Sequence, residues 1–202
     1  MTRTPRIRLK ILCEDAAQRA FAYALCERHG ISRRDITMLA APSGQGSGKN
    51  WVIKKYAAPS DGLVRTTRSK NFQPQLGWLA IVDGDAEGAP MRLRELEEEL
   101  RRAGLQPRSA SEPLAIFVPT WSIETWLLWL WGDDDVDEKA SYKQDGRAGT
   151  AERAKRSREA HGARRPAEAA AAFDAPPRAG ESVRVPSLVM ARQEAKRLPG
   201  FS

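Results

Sequence analysis

Short apolar runs alternate along the chain with longer amphipathic stretches, and most of the runs stop abruptly at a polar tip. Arg6 to Cys13 (RIRLKILC) alternates apolar and basic positions before turning continuously apolar, as a strand entering a sheet does. Ala16 to His29 then predicts a helix, with Phe21, Ala24 and Leu25 at helical spacing and Gly30 placed to stop it. Ile36 to Ala41, Trp78 to Val82 and Leu114 to Val118 predict further strands. Trp51 to Tyr56 and Ala89 to Ala103 predict helices between them. In the second of these, Leu93, Leu96 and Leu100 form an apolar stripe with the charges outside. Ser122 is placed to cap a helix through Trp126 and Trp129. Strands alternating with helices predict an α/β domain with an open, mostly parallel sheet and flanking helices.

From Gly132 the pattern changes. Asp133 to Glu138 is an acid run that reads as a solvated linker. Thr150 to Ala172 is basic and alanine-rich, with helix propensity but few large apolar residues. Pro176, Pro177 and Gly180 break it, and Val183 to Leu198 regains apolar periodicity as a final helix docking back on the core. The organisation expected is therefore an α/β domain over 1–138 and a basic, partly helical C-terminal extension over 139–202.

Composition narrows the class. A chain of 202 residues can bury a sizeable core. No apolar run is long enough to span a bilayer, and Met1 to Lys10 lacks the apolar middle of a signal peptide. Two cysteines and two histidines exclude a disulfide framework and a zinc cluster, so a cytoplasmic protein is expected. The net charge of +7 is unevenly placed: residues 1–138 hold 19 basic and 19 acidic side chains, residues 139–202 hold 14 and 7. A neutral domain with a basic tail suits an anionic partner such as nucleic acid, although arginine-rich composition alone gives the same balance.

Three strand ends carry acids. The third strand runs into Asp83-Gly84-Asp85, two carboxylates whose mutual repulsion a cation between them would relieve. Glu14 closes the first strand just before a helix, and Glu124 lies in the first turn of the helix after the last strand. Solvated turn residues and a favourable helix dipole are the competing explanations. The loop Pro42 to Asn50 is rich in glycine and lies between strand and helix, as a phosphate cradle would. It fails the P-loop pattern twice, with Ser43 where glycine and Asn50 where a hydroxyl residue is required. Lys49, Arg68 and Lys70 remain as phosphate contacts, and a nucleotide-binding switch is disfavoured.

Glu14 in Cys13-Glu14-Asp15 and the pair in Val82-Asp83-Gly84-Asp85, in that order, resemble the TOPRIM domain shared by topoisomerases, bacterial primases and the overcoming-lysogenisation-defect nucleases. Leu9 to Asp15, Pro42 to Gly48 and Ile123-Glu124-Thr125-Trp126-Leu127 also resemble small stand-alone bacterial TOPRIM-like proteins, over about residues 6–143. The resemblance implies Mg²⁺ or Mn²⁺ held by Glu14, Asp83 and Asp85, with Glu124 as a further catalytic acid and Glu14 as an alternative general base. It implies a metal-dependent nuclease acting on DNA or RNA, alone or with a partner ATPase in prokaryotic defence or repair. A homodimer is compatible with such a domain. The alternative from another class is a non-catalytic module that binds nucleic acid or a partner through the tail.

Overall fold

The computed structural model describes residues 7–41, 48–58, 76–142 and 165–201. Strands β1 (Arg8–Cys13), β2 (Ile36–Ala40), β3 (Leu76–Ile81) and β4 (Leu114–Phe117) form one parallel sheet in the order β2-β1-β3-β4. Parallel neighbours need long crossovers, which helices provide. Helix α1 (Ala16–Arg28) joins β1 to β2, α2 (Gly48–Ala57) lies between β2 and β3, and α3 (Gly88–Arg102) joins β3 to β4. The strand order steps outward on both sides of the β1–β3 pair. In such doubly wound, Rossmann-like sheets the carboxyl ends of that pair flank a crevice.

Side chains alternate across the sheet and both faces are covered, which explains why the central strands read as continuous apolar runs. Leu9, Ile11, Cys13, Leu79, Ile81, Ala115 and Phe117 pack on one face with Phe21 and Leu25 of α1. Leu12, Trp78, Ala80, Leu114 and Ile116 pack on the other with Val52 and Tyr56 of α2 and Leu96 and Leu100 of α3. The strand and helix boundaries depart from the sequence pattern by only a few residues. The glycine-rich loop at 42–47 and the basic stretch at 59–75 lie outside the described residues.

The C-terminal part belongs to the same core. Helix α4 (Ile123–Leu130) is buried on all sides except at Glu124. Helices α5 (Arg165–Asp174), α6 (Glu181–Arg184) and α7 (Pro186–Ala195) follow. Phe173 stacks edge-on against Phe21 and tilts against Phe117, with centroids 5.7 Å apart in each pair. The single helix expected over 183–198 is instead α6 and α7, because Pro186 has no N–H to donate and fits only at a helix start. Gly77 is required where this segment crosses β3: a Cβ there would lie 2.6 Å from Pro199 Cδ. His29 is pinned between Gly200 O and Asp174, each 3.1 Å away, and stacks on Phe201.

Helix α7 also covers the sheet edge. An outer strand presents unpaired backbone groups that invite other strands. On β4, Ile116 N donates to Glu194 Oε2 at 3.0 Å and Leu114 O accepts from Arg108 at 2.8 Å. Arg108 pairs with Glu194 in turn.

The acid run at 133–138 is not a free linker. Val136 is fully buried, and Glu138 accepts hydrogen bonds from Thr120 Oγ1 (2.6 Å), Ser187 N (2.9 Å) and Ser187 Oγ (2.5 Å). The arginines described after residue 165 serve the fold as well. Arg178 reaches Trp129 O and Asp134, Arg192 the buried Glu181, and Arg197 Glu194 with the carbonyls of Ser109 and Ala110. Among the described residues no helix is long and apolar enough to cross a membrane.

Candidate functional site

Residue Glu14 follows β1 directly and Asp83 lies two residues beyond β3, so adjacent parallel strands deliver both to one rim. They meet: Asp83 N donates to Glu14 Oε1 at 2.6 Å, and Asp83 is 1% exposed. Gln18, completely buried on the first turn of α1, locks the pair. Its Nε2 donates to Asp83 Oδ1 at 2.8 Å and its Oε1 accepts from Glu14 N at 2.8 Å, which fixes the orientation of the amide. Its own N–H is held by the N-cap Asp15 at 2.9 Å. Gln18 carries no charge, but an Asp followed three residues later by Gln is the capping-box signature that marks it in the sequence.

The backbone of Asp85 leaves the strand geometry that would align it with Asp83. β3 ends at Ile81, and Asp85 has φ 50°, in the left-handed region. It forms an isolated antiparallel bridge with Trp121, which has φ 63°. The two backbones exchange hydrogen bonds of 3.3 and 2.9 Å. These are the two non-glycine residues with positive φ among the described residues, and they face each other at the rim. The Asp85 carboxylate, 42% exposed, points to cations: Lys49 Nζ at 2.5 Å and Arg92 Nη2 at 3.1 Å, both to Oδ2.

Both cations come from helices on one face of the sheet. Lys49 stands at the second position of α2, and Gly48 before it lets that helix start against Glu14; a Cβ there would lie 3.2 Å from Glu14 Cβ and O. Arg92, 3% exposed on α3, donates from Nε to Asp83 O at 2.8 Å and also pairs with Glu95. It therefore ties both ends of the Asp83-Gly84-Asp85 turn. Its signal in the sequence was a cation on the apolar stripe of α3, one turn before Leu96.

The remaining acid, Glu124, hydrogen-bonds to none of these three. Its Oε2 is buried without a hydrogen-bond partner, as are Ser122 Oγ and Thr125 Oγ1 on the same turn of α4. Ser122 occupies the N-cap position, but its hydroxyl makes no capping bond. Buried polar atoms are ordinarily partnered, and these three, on one turn of α4, lack a hydrogen-bond partner among the described residues. Neighbouring Cys13 is a core residue: burial, reinforced by the Asp15 charge, pushes its thiol up to about 12. Of the phosphate-contact candidates, Lys49 reaches the site, whereas Arg68 and Lys70 lie outside the described residues.

Among the described residues no three His, Cys, Asp or Glu side chains gather as a metal cluster. A hard divalent cation such as Mg²⁺ needs fewer protein ligands, since one or two carboxylates with waters and substrate phosphate complete its shell. Glu14 and Asp83 fit that requirement in donor type and share one rim, where Glu14 Oε1 accepts from the Asp83 backbone N–H, while Glu124 stands in the first turn of α4. Comparison of the chain with protein-family models, with curated proteins and with solved structures gives no match.

Proposed function

We propose that this chain is a Mg²⁺- or Mn²⁺-dependent phosphodiester-processing enzyme of the TOPRIM type, a nuclease acting on DNA or RNA. The observation that carries the reading is the meeting of Glu14 and Asp83, 69 positions apart, at the carboxyl ends of the strands flanking the switch point. The order of the acids along the chain supports it, as do two cations beside them. A divalent ion held by Glu14 and Asp83 would neutralise phosphate charge and supply an activated water. The chain's own residues do the rest. Gln18 holds the Asp83 carboxylate in one orientation, and Arg92 fixes the turn that follows. Lys49 lies where a phosphate oxygen of the substrate would approach the acids. In the alternative arrangement, with the ion held by Asp83 without Glu14, the half-buried Glu14 would instead serve as the general base.

The test is cleavage of plasmid, single-stranded DNA and RNA with Mg²⁺ or Mn²⁺, alone and with a candidate partner ATPase. Wild type should cut at least one substrate, and Asp83→Ala should lower the rate by a factor of about 100 or more. Equal cleavage by Asp83→Ala removes the reading. The tail-driven binding module has no specific observation in its favour: the described tail arginines are taken up by the protein itself, and residues 143–164, with seven of the tail's fourteen basic side chains, lie outside the described residues.

A further inference from the structure

We propose that Lys49 and Arg92 form a seat for a phosphate group, and that Asp85 occupies it as a built-in competitor in the ligand-free protein. The proposal rests on the reading of this rim as a phosphate-handling site. Two cations from different helices converge on one oxygen, Asp85 Oδ2, at 2.5 and 3.1 Å. That is the arrangement a phosphate oxygen asks for: a point charge from lysine and a directed N–H from guanidinium. The backbone of Asp85 lies in the left-handed region, which Asp and Asn tolerate better than most side-chain-bearing residues, and the bridge to Trp121 holds it there.

Exposure shows how exchange would occur. Arg92 is 3% exposed and anchored through Nε to Asp83 O and by its pair with Glu95, so its remaining donor is preset. Lys49 and Asp85 are 30% and 42% exposed and can part without unpacking the core. A ligand phosphate therefore replaces the Asp85 carboxylate between cations that do not need to move. Asp85 then swings to the solvent side of the turn, and affinity in the resting protein is reduced by the competition.

The experiment is done in EDTA, so that no divalent cation bridges protein and ligand. Binding of inorganic phosphate, a 5′-phosphorylated dinucleotide and its unphosphorylated twin is measured by calorimetry for wild type, Asp85→Asn and Glu97→Gln. Asparagine tolerates the left-handed backbone, so Asp85→Asn keeps the turn. Glu97→Gln makes the same charge change at an exposed position of α3. Asp85→Asn should tighten phosphate binding about five- to tenfold, and Glu97→Gln should not. Adding Lys49→Ala to Asp85→Asn should abolish the gain.

A gain confined to the 5′-phosphorylated ligand identifies a terminal monoester, a gain with both dinucleotides a backbone diester, and a gain with inorganic phosphate alone a free anion. Unchanged or weaker binding by Asp85→Asn overturns the proposal, and so does an equal gain in Glu97→Gln or one that survives loss of Lys49. The gain without cleavage by the Mg²⁺-loaded protein leaves the seat standing and removes the nuclease; cleavage without the gain does the reverse.

Discussion

Gln18 is the side chain through which the acid pair is held. It has no charge to contribute, but it satisfies Glu14 N and Asp83 Oδ1 at once from a fully buried position. Gln18→Leu keeps the volume and removes the hydrogen bonds to Glu14 N and Asp83 Oδ1. It should cost about 1–3 kcal/mol in stability and weaken Mn²⁺ binding to the Glu14–Asp83 pair. Chemical denaturation and Mn²⁺ titration check both halves, and an unchanged Mn²⁺ affinity would show that Gln18 only packs. Glu138 makes a prediction of a different kind. Burial raises its pKa above the ordinary carboxylate range, against hydrogen bonds from Ser187 and Thr120 that favour the anion. The folded protein then binds this proton more tightly than the unfolded chain. The associated stability is complete below the unfolded value of about 4.3 and is lost as pH rises through the raised folded value. Glu138→Gln has no such dependence, so its stability relative to wild type should climb with pH from about 4 upward. A flat difference between the two melting curves would contradict the assignment.

At the scale of elements, the strands were legible because a sheet covered on both faces demands apolar residues at every position, and few other structures do. Glu14 and Asp83 were legible as strand-end acids for the same reason. The course of Asp85 was not: alternation in a strand aligns i with i+2, but β3 stops at Ile81 and the bridge to Trp121 sets the later backbone. Nor was the capping of β4, since Glu194 and Arg108 are 86 positions apart and each looks like a solvated charge in the sequence. Glu138 misled in the same way. An acid at the end of an acid run is ordinarily surface, and only the arrival of Ser187 and Thr120 makes it a buried junction.

At the scale of the whole molecule, the C-terminal helices complete one face of the core and are not an appendage to it. Phe173 fills the space between Phe21 and Phe117, and Leu188, Ala191 and Leu198 join the same cluster. Phe173→Ala should therefore destabilise the fold by about 3–5 kcal/mol, and a chain ending at residue 164 should fail to give a cooperative thermal transition. A cooperative melt from the shortened chain would separate the segment from the domain. Until then, loss of nucleic-acid binding on removing the tail says nothing about where nucleic acid binds, because the removal exposes the sheet.

What the sequence determined by itself was the alternation of strands and helices and the presence of acids at strand ends. Both are local: an apolar run long enough for one strand, then a polar tip, is written in consecutive residues. What only the tertiary structure decided was which charges meet. The strand order β2-β1-β3-β4 puts β1 beside β3 and so Glu14 beside Asp83. The packing of α2 and α3 on one face brings Lys49 and Arg92 to a single carboxylate oxygen. Pairing of charges across tens of residues depends on distances of a few ångströms, and those are fixed by how the elements pack, which no stretch of the chain carries alone.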